Sequence, residues 1–329
     1  MQGIEILGTG SYLPDYVISN DDFAAFLDTS DDWIYTRTGM RERRIAVDEP
    51  TWYLGAQAAG RALKSANISP AEIDMIIATT ATSDYAFPTL ASCVQSALEI
   101  ESCIALDINL ACTACTFAID MARRYMQTGD VKHVLVVSAE SMSQRIDYTD
   151  RSTAVLFGDG AGAMVLRQSD RLYAAFQSND AAGAKYIYHR YPRREYPFSA
   201  NDTSEHDCFP DEKYGSTYMN GREVYKFATR AMPDAVKIAC ERAGISHERL
   251  DMLFVHQANI RIVETAAKNL GLPMERVFMN IEKYGNTSSA SMPICLDEAT
   301  RAGKIKRGDV ICFVGFGAGL SSGAVVMEY

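Results

Sequence analysis

The chain has 329 residues and a formal net charge of −10, with 47% hydrophobic and 22% charged residues. That composition is ordinary for a globular protein with two cores or one large double core, and it excludes a disordered chain. An acidic surface disfavours nucleic acid, and no run approaches the roughly 18–20 apolar residues of a membrane span, so a cytoplasmic protein that binds neither is expected. The opening MQGIEILGTGSYLP has no basic segment followed by a long apolar one, so no secretory signal is read there. The eight cysteines sit mostly in apolar stretches, where buried free thiols fit better than a disulfide framework.

In chain order, TWYLGAQAAGRALKSAN (51–67) reads as a helix, followed by a strand near 74–80. A helix near 89–99, a strand at 103–108, a helix from 112 to about 127 and a strand at 133–139 come next. Residues 184–217 break the alternation. They are rich in Tyr, Pro and charge without a sustained period, which fits either a lid or a passive insertion. The remainder reads helix 222–243, strand 251–256, helix 259–270, strand 277–281, helix 289–302 and strand 310–316. Alternating strands and helices imply parallel-rich sheets with helices outside them.

The halves also resemble each other. ISPAEIDMIIATT (68–80) and ISHERLDMLFVHQ (245–257) lie 177 residues apart, TGDVKHVLVVSAE (128–140) and RGDVICFVGFGAG (307–319) lie 179 apart, and GAMVL (162–166) and GAVVM (323–327) lie 161 apart. Offsets that drift slowly point to a duplicated unit. The expected organisation is an N-terminal half over 1–170, a connection with an insertion over 171–217, and a C-terminal half over 218–329. Two such halves back to back make a five-layered αβαβα fold.

Three residues stand at strand-to-helix junctions. Cys112 follows the strand ending in DINL and opens TACTFAIDMARRYM, where a helix dipole favours a thiolate and free N–H groups can hold an oxyanion. His256 ends the apolar run LDMLFV, at the carboxyl end of a strand, where open α/β sheets place their sites. Asn286 lies in the Gly-Asn turn of EKYGNTSSASMP, entering a helix rich in small residues. Each alone has a structural reading: a buried cysteine, a packed histidine, a helix cap. Together they can converge at one sheet end. The Gly-rich runs GTGSYLP, FGDGAGA and GFGAG lack the partner residues of phosphate loops and read as tight turns and close backbone packing. Neither HEXXH nor paired CxxC appears, so no metal site is expected.

DDWIYTRTGMRERR, YAFPT, DINLAC, TDRSTAVLFGDGAGA, HQANIRI, YGNTSSASMP and GFGAG, in this order, resemble the motifs of the β-ketoacyl-acyl carrier protein synthase III family. The likeness runs from about residue 3 to 329 except over 184–217. It implies a thiolase-like fold, a homodimer, and decarboxylative condensation of a primer acyl-CoA with malonyl-acyl carrier protein (malonyl-ACP), both substrates, with no cofactor. Carried over, Cys112 is the acylated nucleophile, and His256 and Asn286 stabilise the enolate. The backbone N–H groups of Cys112 and Ala318 form the oxyanion hole. Trp33, Arg37 and Arg151 hold the CoA nucleotide, and Gln257, Ala258, Asn259, Ile260 and Arg261 form the carrier-protein patch, with Lys268 two turns further on. Phe87 matches a residue that the partner subunit inserts into the acyl pocket, otherwise lined by Cys115, Met142, Phe157 and Phe316.

The chain departs from that pattern in places. Ala114 and Cys115 stand where Gly and Phe are usual, Ala318 where Gly is usual, and Arg222 where Asn is common. These changes leave primer choice open. Cys112-Thr-Ala-Cys115 is also a C-x-x-C, which points either to a reversible disulfide or to a wider acyl pocket. Three rival readings are a related ketosynthase that primes a polyketide or other secondary pathway, a thiol–disulfide oxidoreductase, and a scaffold subunit without activity.

Overall fold

The computed structural model describes residues 3–191 and 215–329. Most of the 184–217 excursion, read as either a lid or a passive insertion, therefore lies outside the described residues. The first sheet holds β1 (Gly3–Tyr12), β4 (Met75–Thr79), β5 (Ile104–Ile108), β6 (His133–Ser141) and β7 (Asp159–Ser169), in the order β1-β7-β6-β4-β5. The second holds β8 (Tyr173–Asn179), β11 (Met252–Val255), β12 (Val277–Phe278), β13 (Val310–Gly317) and β14 (Ser321–Glu328), in the order β12-β11-β13-β14-β8. Read from the opposite edge, the second order repeats the first strand for strand. In each sheet three neighbouring strands, one of them at an edge, run parallel (β5, β4, β6 and β12, β11, β13), and the two on the other side add antiparallel. Two short pairs stand apart: β2 (Val17–Ser19) with β3 (Glu42–Arg44), and β9 (Ile187–His189) with β10 (Thr217–Met219).

The helices repeat as well. α3 (Thr51–Ala66) and α4 (Leu90–Ala97) pack on the outer face of the first sheet, around Leu54, Ala58, Ala62 and Val94. α7 (Gly221–Arg242) and α8 (Ile260–Leu270) cover the outer face of the second, around Val236, Ala239, Val263 and Ala267. Between the sheets lie α5 (Ala114–Met126) and α10 (Ser291–Arg301), whose Ile119, Met126, Met292 and Leu296 share one core with Ile77, Val136, Phe254 and Phe313. Five layers result, alternating helix and sheet. Shorter helices α1 (Asn20–Ala24), α2 (Asp31–Thr38), α6 (Arg151–Ala154) and α9 (Ile281–Tyr284) decorate the end where the site forms.

The structure refines the sequence reading at three places. Residues 173–179, assigned to the connection, form the edge strand of the second sheet; their pairing with β14 carries them, because YAAFQSN is too mixed to announce a strand. The Gly-rich run 157–163 is mostly strand β7, not turn. At Gly162 a Cβ would meet the Pro293–Ile294 backbone of α10 at 2.7–2.8 Å, so glycine is what lets that central helix lie on the sheet. The third concerns the repeat. The sheets pair Met75 with Val134 and Met252 with Ile311, an offset of 177 rather than 179, since the turn before β13 is two residues shorter than the turn before β6. Among the described residues no helix is long and apolar enough to cross a membrane.

Candidate active site

Duplication places the β5→α5 and β12→α10 junctions against each other, and the site forms where they meet. Cys112 sits in the single 3-10 turn Ala111–Thr113 that precedes α5, with Ala111 in the left-handed region at φ 47°. The equivalent turn before α10, Ser288–Ala290, carries Ser288 at φ 49°. The two turns touch: Cys112 Sγ lies 3.4 Å from Ser288 Oγ. Non-glycine residues at positive φ are costly and persist where the surroundings impose them. Here one precedes Cys112 and the other lies against its sulfur. At Gly317, the end of β13, a Cβ would stand 2.9 Å from the Cys112 nitrogen, so only glycine lets the strand back the Cys112 turn.

His256 follows β11 and is almost fully buried. Its Nδ1 lies 2.9 Å from Ser291 Oγ, and its ring meets Phe316 edge-on at 5.4 Å between centroids. Burial pushes its pKa down to about 3, with a hydrogen bond to the Ser288 backbone working the other way, so the imidazole is neutral across the physiological range. Asn286 is held by its backbone: its N–H donates to the Leu156 carbonyl and its own carbonyl accepts from Gly158. Its Oδ1 accepts from the Ser288 N–H at 2.9 Å, which leaves the amide Nδ2 as the donor available to a ligand.

Cys112, His256 and Asn286 line one cavity of about 320 Å³, together with Ala318, Met142, Phe157 and Phe316. The expectation of a dipole-stabilised thiolate is not met. α5 begins two residues beyond Cys112, and enclosure of the sulfur pushes the thiol up to about 12, aided by the charge of buried Glu140 and opposed by the Ser288 hydroxyl. Sequence reasoning missed Glu140, Ser288 and Ser291. Glu140, fully buried, accepts from Ser289 Oγ (2.6 Å), Thr82 Oγ1 (2.8 Å) and the Ala81 N–H (3.0 Å), tying β6 to the α10 turn. The serines stood in SSAS, where only the Asn before them had drawn notice.

Cys115 is corrected. It is fully buried in the core between the sheets, against Ser138 of β6, and does not line the cavity. Both cysteines are free thiols. Cys115 does not widen the pocket. Phe87 lies outside the cavity of its own chain and is 87% exposed. Trp33 is flanked by two guanidinium groups, Arg37 at 4.5 Å and Arg151 at 4.6 Å from the ring centre.

The expected carrier-protein stretch divides. Gln257 is fully buried, donates to the Val255 and Phe278 carbonyls and accepts from Asn280, so it offers nothing to a partner. Ala258 and Asn259 line the cavity, and Asn259 also caps α8 and donates to the Arg37 carbonyl. Ile260 is half-buried where α8 begins, while Arg261 and Lys268 are exposed. Arg261 also donates to the Thr36 carbonyl at 2.8 Å, which ties it to the helix carrying Trp33 and Arg37. Among the described residues no cluster has the makings of a metal site.

A doubled αβαβα core with a cysteine, a neutral histidine and an asparagine at the seam between its halves defines a condensing enzyme of the thiolase fold. Residues 106–185 match the family model described as 3-oxoacyl-[acyl-carrier-protein] synthase III, and residues 240–329 match its C-terminal model. The β-ketoacyl-[acyl-carrier-protein] synthase III of Clostridium acetobutylicum is 42% identical, with 100% of this chain and 99% of that protein covered. The crystal structure of the Aquifex aeolicus 3-oxoacyl-[acyl-carrier-protein] synthase III superposes with a TM-score of 0.90 at 42% identity, over 99% of this chain and 100% of that one. The priming β-ketosynthase of the R1128 polyketide pathway also superposes at 0.90, with 34% identity over 99% and 96% of the two chains. The chain belongs to the β-ketoacyl-acyl carrier protein synthase III family, and it is a condensing acyltransferase.

Proposed function

We propose that this enzyme opens fatty acid synthesis by joining a primer acyl-CoA to malonyl-ACP. One observation carries the reading: the sulfur of Cys112 and two neutral donors, His256 and Asn286, meet in one cavity. Trp33, Arg37 and Arg151 hold the nucleotide of the primer, the tryptophan stacking on the base and the arginines meeting phosphate. Cys112 attacks the thioester carbonyl, the backbone N–H groups of Cys112 and Ala318 receive the oxyanion, and CoA leaves carrying the thiol proton. Exchanging one thioester for another costs little.

Malonyl-ACP then docks at Arg261 and Lys268, whose positive charge suits an acidic carrier. Loss of carbon dioxide leaves an enolate, and the His256 imidazole and the Asn286 amide donate to its oxygen. Its carbon attacks the acyl group on Cys112, and the sulfur departs with the β-ketoacyl product left on the carrier. The enzyme works in the cytoplasm without a cofactor, as a homodimer in which Phe87 of each subunit reaches the other's acyl pocket; the exposure of Phe87 supports that arrangement.

A second reading keeps the chemistry and changes the pathway, since the R1128 priming ketosynthase shares the fold over nearly the whole chain. Incubation with a panel of acyl-CoAs and malonyl-ACP, read by mass spectrometry, tests both. Short β-ketoacyl-ACP products support the first reading. Products only from unusual primers support the second, and failure of every acyl-CoA to label Cys112 sinks both.

A further inference from the structure

The cavity over Cys112 is mostly apolar, walled by Met142, Leu156, Phe157, Val224 and Phe316. Among its described lining residues, Arg145 is the only lysine or arginine. It closes the short 3-10 turn Met142–Arg145 that follows β6. Its backbone is pinned, because Thr217 Oγ1 donates to its carbonyl at 3.0 Å. Its guanidinium donates through Nη2 to the Ser83 carbonyl at 3.1 Å, and no carboxylate among the described residues pairs with it. His189 and Thr217, 3.4 Å apart, line the same cavity. Burial, and then the charge of Arg145, hold the His189 pKa below its ordinary value, so that charge is felt along this wall.

A guanidinium presents five N–H donors, and one carbonyl accepts from a single one of them. While the cavity is open, water serves the rest. A primer that fills the space displaces that water, and a plain hydrocarbon tail reaching Arg145 leaves a partly enclosed charge without a partner, which is costly. A carboxylate restores the balance, since its two oxygens match the guanidinium fork. The imidazole and hydroxyl beside it add neutral polar contacts. Met142 and Phe157 meanwhile suit the methylenes between the thioester and that carboxylate.

We infer that Arg145, with His189 and Thr217, reads the far end of the primer, and that the enzyme accepts acyl-CoAs whose acyl chain ends in a carboxylate. This rests on the reading of the cavity as the primer pocket. The chemistry at Cys112 is unchanged: its sulfur bonds the thioester carbon, the bond to the CoA sulfur breaks, CoA leaves with the thiol proton, and the distal carboxylate is a spectator. Malonyl-ACP brings a carboxylate of its own, so the test must separate the two sources.

Acylation of Cys112 is followed by intact-protein mass spectrometry without malonyl-ACP, using succinyl-CoA and glutaryl-CoA beside butyryl-CoA. The wild-type enzyme is expected to load at least one of the carboxylated primers at a rate comparable with butyryl-CoA. Arg145→Met should lower the ratio of carboxylated to apolar loading by about tenfold or more, the scale of a lost charge-assisted pair. Arg145→Lys, which keeps the charge and loses the fork, should recover part of that ratio. A merely structural arginine would change all three primers together. The inference is overturned if neither carboxylated primer loads, if Arg145→Met slows every primer alike, or if its effect falls only on malonyl-ACP decarboxylation measured in a Cys112→Ala background. Loading of butyryl-CoA but not of the carboxylated pair sinks this inference and leaves the proposed function standing; loading of none sinks the proposed function itself.

Discussion

His256 is expected to work as a neutral hydrogen-bond donor, and the pH dependence of decarboxylation tests this directly. In a Cys112→Ala background the acyl step is absent, and malonyl-ACP decarboxylation can be followed as acetyl-ACP by mass spectrometry. With its pKa pushed down to about 3 by burial, His256 is about 1% protonated at pH 5, where an ordinary imidazole is almost wholly charged. The rate should therefore stay flat from pH 8 to pH 5. Replacing His256 by Ala should lower it about 100- to 1000-fold, the usual cost of one preorganised donor. Stability carries a matching signature. Below about pH 6.5 the unfolded chain protonates this histidine while the folded one does not, until about pH 3. The neutral site's contribution is thus complete above pH 6.5 and falls by about 1.4 kcal/mol per pH unit between the two values. The stability gap between wild type and His256→Asn, measured by denaturant unfolding, should shrink over that window as the pH drops. A decarboxylation rate that climbs as pH falls through 6.5 would make the imidazolium the active form and refute the reasoning.

Ser291→Ala removes the partner of His256 Nδ1 and frees the ring; decarboxylation should fall about tenfold with little change in Cys112 acylation, read by the same two assays. Gly317→Ala pushes a methyl against the Cys112 nitrogen, so acylation should drop at least about tenfold, with a loss of about 1–3 kcal/mol in unfolding free energy. Lys268→Glu should raise the KM for malonyl-ACP several-fold at low salt, with the effect fading near 0.5 M salt as about 4 Å screening sets in, while acyl-CoA loading is unchanged. Arg261→Glu should differ from it by weakening both half-reactions, because Arg261 also supports the helix that carries Trp33 and Arg37.

The five-layered fold was legible because its strongest signals are local and come twice. MIIAT and MLFV are uninterrupted apolar runs beside helices with clear periodicity, and they became β4 and β11, the parallel strands at the heart of each sheet. The outer strands were harder to see. β1 and β7 carry glycines where α3 and α10 press on the sheet, and a glycine in a strand reads like a turn until the helix above it is known. β8 had no apolar pattern to give it away and owes its state to β14. Matching the halves by the GDV string misplaced the repeat by two residues, because the string follows the turn and the register follows the strand.

The site divides along the same line between local and distant causes. Cys112, His256 and Asn286 were legible because each lies between a strand and the next long helix, His256 directly after β11, Cys112 shortly after β5, and Asn286 beyond β12 and the short α9. What tunes them was hidden, since it depends on contacts across the chain. Ser288 approaches Cys112 over 176 positions, Ser289 meets Glu140 over 149, and none of these residues has a spacing that marks it. A helix that starts near a cysteine suggests an easy thiolate; burial raises this one, and Ser288 from the turn of the other half, 3.4 Å away, only partly offsets the rise. The same burial keeps His256 neutral, the form that the proposed enolate role requires. Burial therefore has opposite consequences for the two half-reactions. On the proposed mechanism it holds back Cys112 until a thioester carbonyl arrives to share the charge with the backbone N–H groups, and it prepares the donor in advance. A site that met water freely would have a readier thiolate but would lose the dry setting in which, on the proposed mechanism, His256 and Asn286 stabilise an enolate.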